Sequence, residues 1–146
     1  MNIRKTISFS VGKGSLTHNR RDFIAQNVDS NRTQMNIEYC NENLEQVYHQ
    51  MFDDALQRFN DKQKRADRKI ESYYDKIRTG KQEKLFHEVI VQIGNREDTN
   101  SKSADSEIAV RILDEYMKHF QARNPNLRIF SAHLHLDEET PHLHID

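Results

Sequence analysis

Residues 127–146 read LRIFSAHLHLDEETPHLHID, and the alternation in this stretch decides the fold. In an extended chain successive side chains point to opposite sides. Leu127, Ile129, Ser131, His133 and His135 therefore fall on one face, and Phe130, Ala132, Leu134 and Leu136 on the other. Residues 137–141 (DEETP) predict a turn, after which His142, Leu143, His144 and Ile145 resume the alternation. A connection this short joins neighbouring antiparallel strands, so the His133/His135 pair meets the His142/His144 pair. Four of the chain's eight histidines sit in these twelve residues. Imidazoles converging from two strands make a divalent-metal site. Asp137 and Glu138 are near enough to add an oxygen ligand or to hold a ligand ring in one tautomer. Mixed His and carboxylate donors suit Mn, Zn, Fe, Co or Ni, and the sequence does not choose among them.

Further upstream, residues 85–93 (LFHEVIVQI) are rich in β-branched side chains and predict a well-buried strand ended by Gly94 and Asn95. Between this strand and the hairpin, Ile108, Ile112, Leu113, Tyr116, Met117 and Phe120 recur at helical spacing. Ser103 or Ser106 is placed to cap that helix, and Asn124-Pro125-Asn126 to break it. A second stripe, from Leu44 through Val47, Tyr48, Met51, Phe52, Ala55 and Leu56 to Phe59, predicts a long helix from residue 43. It fades into a charged stretch that Gly80 stops. At the N-terminus Ile7, Phe9 and Val11 alternate with Thr6, Ser8 and Ser10, the pattern of a strand with one buried face, ended by Gly12-Lys13-Gly14. Residues 15–36 lack sustained periodicity and read as a functional loop with at most short helices. The order predicts an α+β fold in which helices pack on an antiparallel sheet.

A length of 146 residues fits one domain. With 22 Lys and Arg against 23 Asp and Glu, the net charge of −1 excludes a uniformly basic nucleic-acid coat, but the charge is unevenly spread. Residues 1–21 hold five cations (Arg4, Lys5, Lys13, Arg20, Arg21) and no acid, residues 58–78 hold eight cations against four acids, and residues 81–146 hold eight against twelve. The first two segments suit anionic partners, although alternating charge also marks a solvated helix face. The mean hydropathy is −0.96, and no run approaches the roughly 20 apolar residues of a membrane span. Without an apolar N-terminal run of the secretory kind, the expected location is cytoplasmic. The single Cys40 supports neither an intrachain disulfide nor a thiolate zinc site.

Two familiar histidine arrays fit poorly. His133-Leu-His135-Leu-Asp137 resembles the HxHxDH run of metallo-β-lactamase-type hydrolases, but Glu138 stands where a third His belongs. Histidine-triad hydrolases use an uninterrupted run, which residues 137–141 break. The longer string 135–144 (HLDEETPHLH) resembles the third motif, HxDE(S/T)xPHxH-like, of the Mob/Pre plasmid mobilisation relaxases, the MobV group of HUH endonucleases. His18-Asn19-Arg20-Arg21, followed by Asn27, Asp29, Arg32 and Asn36, resembles that group's first motif, and residues 81–94 (KQEKLFHEVIVQIG) look like the strand before its second helix.

This resemblance implies an HUH relaxase-like sandwich. Residues 1–146 would be a single N-terminal relaxase domain that stops just after the last metal-binding His, inside an expected strand. His135, His142 and His144 would hold one divalent cation, most often Mn, with Mg, Zn, Co or Ni as alternatives. Glu138 would be the acidic partner, and His133 an additional His on the same face. His18 would be the nucleophile, since a neutral imidazole attacks phosphorus competently near neutral pH. Arg21 would bind the scissile or an adjacent phosphate, and Lys13, Asn19, Arg20 and Arg32 would contact DNA. Tyr39, Tyr73 and Tyr74 are the competing nucleophiles, with helix packing preferred for the adjacent pair. The implied activity is metal-dependent, site- and strand-specific nicking at a plasmid origin of transfer, through a covalent His-DNA 5′-phosphate intermediate that can be religated. The implied partners are origin DNA, single-stranded near the nick with flanking duplex, and the conjugation machinery, with no membrane contact. The alternatives are a truncated, non-catalytic origin-binding module and, supported by HxHxD alone, a small-molecule metallohydrolase.

Overall fold

A computed structural model describes residues 5–95, 97, 99 and 103–146. The chain up to Asn41 together with His87–Asp146 forms one compact unit, and Glu42–Phe86 forms a second. The first unit is built on a five-stranded antiparallel sheet. Its strands are β1 (Ile7–Val11), β2 (Ile37–Asn41), β3 (Val89–Ile93), β4 (Ser131–His135) and β5 (His142–Ile145), in the order β1-β3-β5-β4-β2.

The register sorts the side chains into two unlike faces. Phe9, Val91, Leu143, Leu134 and Ile37 lie side by side across all five strands and make an apolar row. On the opposite face Ser10, Ile90, His144, His133 and Glu38 form one row, and Ser8, Gln92, His142 and His135 form the next. A helix, α4 (Asp105–Arg123), packs Ala109, Leu113, Met117 and Phe120 onto the apolar face. Val91, Leu113, Ala132, Leu134 and Leu143 are fully buried between them, and each Leu or Val there stabilises the fold by roughly 1.5–3 kcal/mol.

The two long strands read from the sequence are shorter in the structure. β4 begins at Ser131, four residues later than the alternation predicts, and Ile129 turns into the core instead of sharing a face with the histidines. β3 begins at Val89, not residue 85. Ile7, Phe9 and Val11 do share a face, but it is exposed, Val11 at 78 %. β1 is an edge strand and α4 covers the central strands, so only Phe9 reaches the helix, its ring 5.7 Å from that of Tyr116. The N-cap of α4 is Ala104, between the two serines, and its side chain makes no capping bond. Asp105 and Glu107 in the first turn complement the helix dipole there instead. β2 was not expected at all, although Ile37 and Tyr39 alternate as a short strand should.

In the second unit the expected single helix is two. α2 (Leu44–Asp61) starts at Asn43, whose side chain accepts from Gln46 N. After a short 3-10 turn at Ala66–Arg68, Ser72 caps α3 (Tyr73–Thr79), which ends at Gly80 as the sequence predicts. The break has a definite cause. Asn60 donates to Ile70 O and accepts from Ile70 N, both at 2.8 Å, and so replaces the helix hydrogen bonds with a reversal of the chain. No described helix is long and apolar enough to cross a membrane.

Candidate functional site

The polar face of the sheet is covered by the loop that the sequence leaves without periodicity. After β1 the chain enters α1 (Leu16–Asn19), which sets His18 above the β4–β5 hairpin, its ring centroid 6.3 Å from that of His135. Arg21 follows with a positive φ of 60°, a left-handed conformation that costs a non-glycine residue roughly 1–2 kcal/mol. Its side chain shows what holds it there. The guanidinium donates to both carboxylate oxygens of Asp137 (2.9 and 2.7 Å), to Glu138 Oε1 (3.0 Å) and to His18 O (2.8 Å).

Asp137 is the anchor of the loop and no part of the metal set. Fully buried, it also accepts from Thr33 Oγ1 and Asn36 Nδ2, while its carbonyl accepts from Asp29 N. Asn36 in turn accepts from Leu136 N. Burial opposes ionisation of Asp137, but the hydrogen bonds from Arg21, Thr33 and Asn36 outweigh it and hold the carboxyl well below the usual range. The sequence expectation that Asp137 ligates metal or orients a ligand ring is thereby corrected. Glu138 takes the bridging place, with Oε1 3.3 Å from His18 Nε2 and Oε2 3.0 Å from His142 Nε2. Against the cost of burial, its contacts with His142 and the nearby Arg21 keep its pKa at about 2.

His135, His142 and His144 each offer a ring nitrogen within 4.8 Å of the others, the one such cluster among the described residues. The hydrogen-bond partner of His135 assigns its tautomer. His135 Nε2 lies 2.8 Å from Asn19 O and must donate there, which leaves a buried Nδ1 without a partner. His142 lies between two acceptors, its Nδ1 2.8 Å from Thr140 O and its Nε2 3.0 Å from Glu138 Oε2. His144 Nδ1 lies 3.1 Å from Glu88 Oε2, an ion-pair contact without hydrogen-bond alignment, so both its ring nitrogens are buried without a hydrogen bond. Burial, together with the neighbouring His144, lowers the pKa of His135 to about 3. Burial also lowers that of His144 against the pull of Glu88. Burial favours the neutral form of His135 and His144, both carry unpartnered ring nitrogens, and with His142 they converge as a divalent cation requires, so the residues fit a metal. His133 lies on the same face but turns its Nε2 to Glu38, 3.3 Å away, outside the cluster.

Beneath the cluster lies a layer that sequence reasoning missed. Glu88, just before β3, is 4 % exposed, contacts His144 and accepts from Asn19 Nδ2 and Gly14 N. Burial alone would raise its pKa, yet the contacts with His144 and Asn19 bring it to about 2. Asp146 shares this pocket, and burial beside the Glu88 charge pushes it up to about 8. Gly12 makes room for the carboxylate, since a Cβ there would lie 1.7 Å from Glu88 Oε1. The only sequence signal for this layer is an acid at an inward position of an otherwise apolar strand pattern. Asn19, expected among the DNA contacts, is instead 2 % exposed and braces Glu88, Asp146 and His135.

Of the other expected contacts, Lys13 is exposed beside the cleft loop, and Arg20 and Arg32 are half-buried. Tyr39 lies on the apolar side of the sheet, where its hydroxyl donates to Asp114 Oδ1 (2.6 Å), and burial together with that carboxylate raises its pKa. Tyr73 and Tyr74 belong to the second unit and pack against Tyr48, with ring centroids 5.9 and 5.4 Å away.

A histidine above a carboxylate-bridged three-histidine cluster, with an arginine tying the two segments, is the spatial form of two motifs more than a hundred residues apart. Residues 13–146 match the profile of Mob/Pre, described as plasmid recombination enzyme. The chain belongs to the Mob/Pre family. It is accordingly an enzyme of the DNA relaxase and endonuclease class. Its fold is similar to that of the MobM relaxase domain, solved bound to 22-nucleotide pMV158 oriT DNA with Mn. The crystal at pH 5.5 gives a TM-score of 0.51 at 22 % identity, over 97 % of this chain and 68 % of that one. A crystal at pH 6.8, with a 3′-thiophosphate on the DNA, gives 0.52 at 21 % identity over the same shares. A search of curated proteins finds no match.

Proposed function

We propose that this Mob/Pre chain nicks one strand of plasmid DNA at an origin of transfer and becomes joined to the new 5′ end through His18. The observation that carries this reading is the common cleft of His18, Glu138, His142 and His144 beside the three-histidine cluster. His135, His142 and His144 would hold the cation, with Mn favoured by the Mn-bound relatives. Held there, it would polarise the scissile phosphate and offset the charge of the transition state.

The chain's own residues account for the remaining steps. Arg21 and Glu138 both meet His18 Nε2 at 3.3 Å and fix the imidazole over the cluster. The lone pair of a His18 ring nitrogen attacks phosphorus, and the P–N bond forms as the P–O3′ bond breaks. The departing 3′-oxygen takes a proton from water to become a hydroxyl, and the other ring nitrogen gives up its proton to solvent to leave the phosphoramidate. The phosphoramidate retains the energy for religation. Five contacts within the protein occupy all the Arg21 donors, so its part is chiefly to position His18, and Lys13, Arg20 and Arg32 serve as phosphate contacts. The strand runs over the polar face of the sheet beside the basic N-terminal segment, so binding weakens steeply with salt. The protein acts in the cytoplasm and hands the nicked strand to conjugation machinery.

The test is to incubate the protein with Mn and a labelled single strand carrying the plasmid's own transfer origin. A denaturant-resistant adduct, acid-labile as a phosphoramidate should be, is expected, and His18→Ala should abolish it. An adduct that survives His18→Ala would move the nucleophile to a tyrosine. Tight binding without an adduct would favour a DNA-binding module, and absence of binding would sink the reading.

A further inference from the structure

The cleft on the polar face, about 450 Å3 in volume, extends beyond the histidines toward the edge of the sheet. Its two ends differ in chemistry. Glu138, His142 and His144 line it on the metal side together with His18, while Ser10 on the edge strand β1 and Gln92 on β3 extend it along the sheet, and Asn27 joins the lining from the covering loop. In the strand register Ile90 lies between Ser10 and His144, and Gln92 lies next to His142. With strands about 4.8 Å apart, Ser10 stands two strands, or about 10 Å, from His144. That is about the span from a backbone phosphate to the outer edge of its own base.

The far end is built for a neutral, flat, hydrogen-bonding group. Among the described residues no Lys or Arg lines the cleft, and the carboxylates of Glu138 and Glu139 in its lining disfavour a second phosphate. The Ser10 hydroxyl and the Asn27 amide make no hydrogen bond to described residues. Gln92 donates through Nε2 to Gly94 O at 3.1 Å, which leaves its carbonyl oxygen to accept. Amide side chains present a donor and an acceptor side by side, the pairing that matches a base edge. Ile90 between them gives an apolar floor on which the ring can lie, and in single strands the bases are free to turn out in this way.

We propose that Ser10, Asn27 and Gln92 read one unstacked base beside the scissile phosphate, laid over Ile90, and so set the sequence at which the strand is cut. This rests on the nicking reading above. To test it, each base flanking the cut in the labelled origin strand is replaced in turn by the other three bases and by an abasic site, and initial rates of Mn-dependent adduct formation are compared. The wild-type protein should show one position next to the cut where replacement slows the reaction about tenfold or more. In Asn27→Ala and in Gln92→Ala the penalty at that position alone should shrink to about twofold or less, while penalties elsewhere persist. Full retention of the penalty in both variants would overturn the inference, as would a wild-type enzyme indifferent to abasic sites beside the cut. No adduct with the unmodified strand would instead overturn the nicking reading itself.

Discussion

The two faces of the same five strands are held together by different physics. On one face Phe9, Val91, Leu143, Leu134 and Ile37 meet α4 and depend on removal of apolar area from water. On the other, four histidines, Glu88, Asp137 and Asp146 are also buried, with Glu138 half-buried beside them, but as a polar lattice in which each charge needs a named partner. An apolar face tolerates volume-conserving change, because one hydrocarbon replaces another. A polar lattice does not, because a lost partner leaves a buried charge uncompensated. The difference explains where the family's motif residues lie. Every one that bears on chemistry sits on the lattice, and the leucines interleaved between them hold the helix.

Substitutions on the two faces should therefore fail in different ways. Asp137→Ala should have the largest effect, about 3–5 kcal/mol of lost stability in urea unfolding, because Arg21 is left buried without its carboxylate. A loss under about 1 kcal/mol would mean the lattice is not what holds the loop. Leu134→Ala should cost about 2–5 kcal/mol by opening a cavity under α4, yet leave Mn affinity unchanged in the protein that remains folded. His144→Ala should do the reverse, lowering Mn affinity by about 100-fold or more in calorimetric titration, and an unchanged isotherm would refute the ligand set. Glu88→Gln should lower it by about 10–100-fold, since the ring of His144 loses the carboxylate that orients it.

Acid should separate the faces without mutation. His135 and His144 have lowered folded pKa values, so the unfolded chain binds more protons below about pH 6.5 and stability falls as the pH drops through that range. Glu88 and Glu138, held at about 2, add a second loss as the pH falls below about 4.5. Asp146, raised to about 8, works the other way: its contribution is fully present below about pH 4 and is lost as the pH rises from there through 8, so it offsets part of the histidine loss. In metal-free protein, Tm should decline from pH 7 to pH 4, and Leu134→Ala should lower this curve without changing its shape. A flat Tm over that range would refute the assignment of neutral buried histidines.

The hairpin was legible because two periodicities coincide in it. Alternation placed the histidines on one face, and leucines at the intervening positions fixed which face was buried. His18 and Arg21 were legible only as motif residues, since the loop that carries them has no period. Its order comes from Asp137, over a hundred residues away. Glu88 and Asp146 were not legible, because a carboxylate inside an apolar run reads as a solvent position until the imidazole opposite is seen. The break after Asp61 was hidden for a similar reason. Asn60 stops the helix through Ile70, ten residues on, a contact that helical spacing does not encode.

The meeting of Asn19, Glu88 and Asp146 at one point has a consequence for synthesis. Loop, central strand and final strand must all be present before Glu88 has its partners or His18 its Glu138. A chain still emerging from the ribosome can form α2 and α3, whose contacts are local, but not the site. The proposed site thus assembles only when residues 131–146 join the sheet.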